Sequence, residues 1–195
     1  LLCSIAILAK HKPIFIMKKT CVITGGSSGI GLAIATLFHE NGYCVHNLDI
    51  QPSDVGIYHA CDVSDFDAVQ NAISNIITTE GRIDVLVYNA GVHYSANIEA
   101  TSPAEFDRII NLNVKGAYAA VQACLPIMRQ QNQGVVLLIS SDQALVAKPN
   151  SFAYNLSKTA LASMAKTTAI YYAKYNIRAN AICPGTIETP LYHQA

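Results

Sequence analysis

The sequence carries no surplus of charge. Lys plus Arg and Asp plus Glu number 13 each, and charged residues make up only 13% of 195. A neutral balance leaves no electrostatic footprint for nucleic acid or an anionic membrane, which excludes both as partners. No run of like charges, low-complexity tract or internal repeat is present, so disordered tails and solenoids are excluded as well. The six cysteines contain no CxxC and the six histidines no HxxxH. That spacing predicts no metal, and cysteines set inside apolar runs read as small buried hydrophobes of a reduced, cytoplasmic compartment. The one suspicious apolar stretch, "LLCSIAILAKHKPIFI" (1–16), is too short to span a bilayer. It also lacks the basic start and cleavage site of a signal peptide. Met17 stands just before "KKTCVITGG", so residues 1–16 are expected to be extra to the native chain, with 17–195 a single domain.

What is abundant is apolar: 51% of the chain, enough for one core-rich domain. Apolar runs of strand length alternate with longer segments of helical spacing. Strands are expected at 21–25, 43–50, 57–63, 83–91, 134–141 and 177–185. Helices are expected at 29–41, from a Ser64 cap to Glu80, from Ser102 and Pro103 through about 131 with a bend near Asn113 to Gly116, and at 151–175. Nearly continuous apolar strands, each followed by a helix, specify a doubly wound α/β fold, a parallel sheet with helices on both faces. Such folds bind ligands at the carboxyl ends of their strands. The polar and glycine-rich segments lie at those ends: "GGSSG", "LDI", "CDV", "NAG", "SSDQ" and "CPGTIET".

"TGGSSGIG" (24–31) follows the first strand and opens the first helix. Gly25, Gly29 and Gly31 permit a tight turn and close approach of a phosphate, which the helix N-terminus attracts. Asp49 ends the second strand, about 20 residues on, where a carboxylate accepts hydrogen bonds from ribose hydroxyls. It would repel a 2′-phosphate, and no Arg or Lys lies in the loop or just after Asp49, which favours NAD over NADP. Further on, "FAYNLSK" sets Tyr154 and Lys158 four residues apart, on one face if helical. An ammonium beside a phenol is expected to lower a pKa that starts near 10, giving a proton donor and acceptor.

In order and spacing these segments resemble the short-chain dehydrogenase/reductase family, from Lys18 to about Thr189. "TGGSSGIG" is similar to the family's TGxxxGxG loop, and "YNAG" (88–91) to NNAG with Tyr88 in place of the first Asn. "NVKG" (113–116) carries the family's structural and proton-relay Asn, here Asn113. Ser141 stands thirteen residues before Tyr154, at the family's catalytic serine, and Tyr154 with Lys158 forms YxxxK. "PGTIET" (184–189) resembles the PG segment, whose Thr189 would contact the nicotinamide amide, and Asp62 with Val63 the pair beside adenine. The resemblance implies hydride transfer between a nicotinamide and a secondary alcohol or ketone, with Asn113, Ser141, Tyr154 and Lys158 catalytic. It implies a cofactor set of Gly25, Ser27, Ser28, Gly29, Ile30, Gly31, Asp49, Asp62, Val63, Asn89, Ala90, Gly91, Tyr154, Lys158, Pro184, Gly185, Ile187 and Thr189.

The expected partners are a small alcohol or carbonyl substrate and a second copy of the chain, since helices like 103–131 and 151–175 often pair between family subunits into dimers or tetramers. Ser140 is expected to be structural. Asp142, Gln143 and His93 lie where substrate could meet them, and their polarity points to a hydroxylated or small polar compound. Cys183 reads as a packed strand residue. The family normally continues past "TPLYHQA" with a substrate loop, a helix and a seventh strand. The resemblance therefore implies a chain truncated at its C-terminus, with an open site and poor activity of its own. Alternative readings are an NADPH-dependent 3-oxoacyl-thioester reductase, a non-catalytic nucleotide sensor, and a truncated product without function.

Overall fold

The computed structural model describes residues 18–193; the expectations for residues 1–16 and Met17 lie outside the described residues. Six strands form one parallel sheet: β1 (Thr20–Thr24), β2 (Cys44–Asp49), β3 (Ile57–Ala60), β4 (Val85–Tyr88), β5 (Gly134–Ile139) and β6 (Ile177–Ile182). Their spatial order is β3-β2-β1-β4-β5-β6. The chain grows outward from β1 in one direction, then returns and grows in the other. The reversal falls between β1 and β4, and a ligand crevice opens there.

Each strand ends earlier than its apolar run. β3, β4, β5 and β6 stop at Ala60, Tyr88, Ile139 and Ile182, and the residues beyond them turn into the crevice. Cys183 is therefore not a strand residue; it lies one position past β6 and is half-buried.

The helices are α1 (Gly29–Glu40), α2 (Phe66–Glu80), α3 (Pro103–Ile110), α4 (Gly116–Gln131), α5 (Phe152–Tyr172) and the short α6 (Pro190–His193). Their starts follow side-chain chemistry. Ser102 caps α3, accepting from Glu105 N–H, with Pro103 at the first helical position. The cap of α2 is Asp65 rather than Ser64: its carboxylate accepts from the N–H groups of Asp67 and Ala68. Ser64 is held by Asp62 instead, through both its N–H and its hydroxyl. Between α3 and α4 the helix widens into one π-turn, Asn111–Lys115, at the expected bend. A π-turn inserts a residue into the helical register and so turns Asn113 inward.

Side chains alternate across the sheet. Val22, Leu48, Leu86, Val136 and Leu138 pack against α2, α4 and α5, through residues such as Ile73, Ile76, Ala120 and Leu161. Cys21, Ile23, Val45, Val85 and Val87 face the other way onto Ala35, Ile34 and Phe38 of α1. Each fully buried Leu or Ile contributes roughly 1.5–3 kcal/mol. Two apolar layers on one sheet thus hold the strand ends, and the loops after them, in fixed relation. Among the described residues no helix is long and apolar enough to cross a membrane.

Candidate active site

The glycine turn is held from beneath by β2. Asn47 accepts from Gly26 N–H at 2.9 Å and donates to the Ser27 hydroxyl at 2.9 Å. Asp49 accepts from Ser27 N–H at 3.0 Å through one oxygen and from Gln51 N–H at 3.0 Å through the other. It orders the turn, and its remaining lone pairs stay available to a ligand. Gly25 (φ +65°) and Gly29 (φ +52°) adopt left-handed backbone. A Cβ on Gly31 would strike the Gly25 carbonyl and the Asn89 amide, and one on Gly25 would lie 2.9 Å from Ala90 Cα. The third glycine is thus a packing requirement, and the first joins the turn to the segment after β4. Asn89 completes that joint by donating to Gly25 O at 2.8 Å. The N–H groups of Asn89 and Ala90 both donate to Thr24 Oγ1.

Two connected cavities follow. One, about 430 Å³, is lined by Gly25, Ser28, Gly29 and Ile30 of the turn, by Asp49, and by Asp62 and Val63 after β3. The other, about 410 Å³, is lined by Ser141, Tyr154, Lys158, Pro184, Gly185 and Ile187. Ile30, Asn89, Gly91, Thr189 and Leu191 border both. Most of the anticipated cofactor residues therefore converge on one continuous cleft. Three anticipated residues do not line it. Ser27 turns its hydroxyl to Gln51 O at 2.6 Å. Gly31 is buried under the turn. Asn113 is fully buried, clamps Val92 through its N–H and C=O, each at 2.9 Å, and donates to Ser157 Oγ at 3.0 Å. Both N–H groups of its side-chain amide are thus engaged.

In the second cavity, α5 presents Tyr154 and Lys158 one turn apart, both nearly buried. Lys158 Nζ donates to Ile139 O at 2.9 Å and sits 5.4 Å from the centre of the Tyr154 ring. Ser140 fixes the helix from β5, its hydroxyl donating to Lys158 O at 2.7 Å, which is the structural role expected of it. Burial drives the lysine down to about 8. The same burial raises the Tyr154 phenol; its hydrogen bond with Ser141 lowers it and Asp142 raises it again. This corrects the expectation from the pair's spacing. Lys158 lies over the ring face and binds a carbonyl, so desolvation outweighs its field at the phenol oxygen. Without ligand, Tyr154 is a neutral proton donor at pH 7.

His93, which the sequence placed where substrate could meet it, lines the Tyr154 cavity; sequence spacing missed Lys148, Asn150, Tyr192 and Arg108. His93 packs its ring edge on Tyr154, centroids 4.7 Å apart, and shares a hydrogen bond of 3.1 Å with Ser151 Oγ. Burial, then the charge of Lys148, holds His93 below its ordinary value, so it is neutral. Lys148, Asn150 and Tyr192 also line the Tyr154 cavity. Arg108 reaches the glycine-turn cavity from α3, paired with Glu105 at 2.8 Å. It lies far along the chain from Asp49, where a local search for a cation does not look.

A profile described as short chain dehydrogenase matches residues 19–195. The chain belongs to the short-chain dehydrogenase family. It is an NAD(P)-dependent oxidoreductase of that family. Oxidoreductase UcpA of Salmonella typhimurium is 40% identical over 186 residues, covering 89% of this chain and 71% of that protein. The 2-(R)-hydroxypropyl-CoM dehydrogenase of Xanthobacter autotrophicus is 40% identical, covering 90% of this chain and 77% of that one. Among solved structures, the ligand-free aldohexose dehydrogenase of Thermoplasma acidophilum superposes with a TM-score of 0.86 at 39% identity, covering 89% of this chain and 69% of its own. ElxO with NADP bound gives 0.86 at 32% identity, covering 91% and 77%. The 3-ketoacyl-(acyl-carrier-protein) reductase of Brucella melitensis complexed with NADH gives 0.85 at 30%, covering 90% and 78%. The glycine turn fits such a dinucleotide: at Gly25 and Gly31 any side chain would fill the space the backbone needs.

Proposed function

We propose that this short-chain dehydrogenase interconverts a secondary alcohol and a ketone, with Tyr154 as general acid and base and NAD(H) as cofactor. The observation carrying the proposal is Tyr154 itself: a buried phenol, flanked by Ser141 and Lys158, facing a cavity continuous with the glycine-turn cleft. The dinucleotide, when bound, supplies or accepts the hydride.

In reduction the Tyr154 phenol donates its proton to the substrate oxygen as negative charge develops there. In oxidation the phenolate takes that proton. Ser141 turns its hydroxyl to the same oxygen and stabilises the charge. Lys158 contributes its positive field and, by family resemblance, binds the nicotinamide ribose. Asn113 holds the Val92 segment against α5 through Ser157, keeping the wall behind Lys158 in place. The preference for NAD rests on Asp49, whose carboxylate at the end of β2 accepts ribose hydroxyls and repels a 2′-phosphate.

The substrate is proposed to be small and hydroxylated. Asp142, Gln143, His93 and Asn150 offer hydrogen-bonding groups around the Tyr154 cavity, and the aldohexose dehydrogenase is among the similar structures. A homo-oligomer is proposed through α4 and α5, where Tyr118, Leu156, Ile170 and Tyr171 are exposed apolar groups.

The test is calorimetric binding of NAD and NADP, followed by a screen of sugars and other secondary alcohols with Tyr154→Phe as control. The expected result is NAD binding unchanged by the substitution and turnover reduced about 10²–10⁴-fold. Undiminished turnover in Tyr154→Phe would reject Tyr154 as the acid and base.

A further inference from the structure

At the opposite end of the sheet from the cleft, β2 and α2 bring together three groups far apart in sequence. Cys44 and His46 are two residues apart on one strand, so both side chains face α2. Glu80 is the last residue of α2 and closes on them. His46 Nε2 lies 3.3 Å from Glu80 Oε1 and 3.5 Å from Cys44 Sγ. The ligand atoms of all three residues lie within 4.8 Å of one another. The other ring nitrogen, His46 Nδ1, is hydrogen-bonded to His59 Nε2 of β3 at 2.9 Å.

We propose that Cys44, His46 and Glu80 form a zinc site, with water in the fourth position and His59 orienting His46. The distances carry the argument. Zinc bonds of about 2.05 Å to nitrogen, 2.1 Å to oxygen and 2.3 Å to sulfur, at tetrahedral angles, require N···O and N···S separations of roughly 3.4 and 3.6 Å. The cluster already holds both edges within about 0.1 Å. A ligating imidazole ordinarily has its second nitrogen fixed by a neighbour, and His59 does that here. The donor set of thiol, imidazole and carboxylate suits borderline-soft zinc rather than calcium or magnesium. His46 is 3% exposed and Glu80 23%, so the site is anchored inside and open on one side to an entering ion. On binding, the Cys44 thiol releases its proton to solvent and ligates as thiolate.

None of the three lines either cavity of the cleft. The ion would tie the end of α2 to the start of β2, a structural role. The proposal departs from the expectation drawn from the lack of CxxC and HxxxH spacing. The ligands are a strand pair at i and i+2 plus a residue 34 positions from His46, a pattern no short motif describes.

The test uses cobalt as a spectroscopic stand-in for zinc on the full chain, with zinc affinity measured against a chromogenic chelator. One ion per chain and a thiolate-to-cobalt charge-transfer band are expected. The band should vanish in Cys44→Ser and persist in Cys183→Ser, the other half-buried thiol among the described residues. Zinc affinity should fall about 10–100-fold in His59→Ala and also fall in Glu80→Gln. Zinc should raise the melting temperature of the parent chain but not of Cys44→Ser. No zinc binding by folded protein would overturn the proposal, leaving the cluster a hydrogen-bonded chain from His59 through His46 to Glu80. A band that survives Cys44→Ser would overturn it equally.

Discussion

Ser141 donates its hydroxyl proton to the carboxylate of Asp142, 2.9 Å away, on the wall of the cavity that Tyr154 faces. A serine hydroxyl has one proton, for which Asp142, the Tyr154 oxygen and a substrate oxygen all compete. Asp142 also adds negative charge near the phenol, beyond the effect of burial.

Replacing that charge should therefore show in the pH profile. Burial raises Tyr154 above its ordinary value, Ser141 opposes this and Asp142 reinforces it. In the proposed mechanism oxidation needs the phenolate, so its rate should rise with pH towards the alkaline side. In Asp142→Asn the phenolate forms more readily, and the rising limb should move to lower pH. Steady-state kcat/KM for alcohol oxidation against pH checks this. A limb left in place would remove Asp142 from the electrostatics of Tyr154.

Lys158 stands near 8 when folded, against an ordinary 10.5. Between those values the unfolded chain binds more protons than the folded one, so the lysine makes stability rise with pH across that window. Below about 8 the buried charge carries its full penalty, roughly 3 kcal/mol. Lys158→Met should accordingly be more stable than the parent at pH 7, with the difference shrinking by pH 10, and it should be inactive. Urea unfolding of both proteins at pH 7, 8, 9 and 10 measures the difference directly. A less stable Met variant at pH 7 would contradict the burial penalty.

Asp49 accepts the backbone N–H of Ser27 in the glycine turn and that of Gln51 in the loop after β2. Each hydrogen bond to a charged group contributes about 1.5–3 kcal/mol. Asp49→Ala should weaken NAD binding roughly 10–100-fold and narrow the gap between NAD and NADP. Calorimetry with both nucleotides separates the two effects. An unchanged NAD:NADP ratio would leave Asp49 as a turn anchor only.

Gly31 tests the turn from within. A methyl there meets a backbone carbonyl and the amide of Asn89, neither of which can move without opening the joint between the turn and β4. Gly31→Ala should lose about 1–3 kcal/mol of stability by overpacking. It should also bind NAD at least tenfold more weakly, although residue 31 does not line the cleft. Chemical denaturation and calorimetry on the same preparation would read both losses.

Much of this was legible before any coordinates. The glycine turn, Asp49 and the run of strands and helices are local patterns, and local patterns survive folding. What was missed depends on burial or on distant partners. Two residues four apart on a helix say where Lys158 is, but not that both groups are desolvated. Ser64 looked like a cap because the competing Asp62 acts through a turn. Strand ends were overrun because Asn89 and Ser141 continue apolar runs yet answer to the cleft. Cys44, His46 and Glu80 meet only through the packing of α2 on the sheet.

The position of β1 at the centre of the sheet has a consequence for synthesis. Thr24 pairs with Leu48 on one side and Tyr88 on the other. The second partner leaves the ribosome 64 residues after Thr24, roughly 3–13 s later at ordinary elongation rates. Through that interval one edge of the central strand keeps its backbone N–H and C=O groups unpaired, next to a nascent glycine turn that lacks its Asn89 brace. The nucleotide cradle is translated first and finished late, so the nascent chain passes through a stage in which chaperone capture competes with completion of the fold.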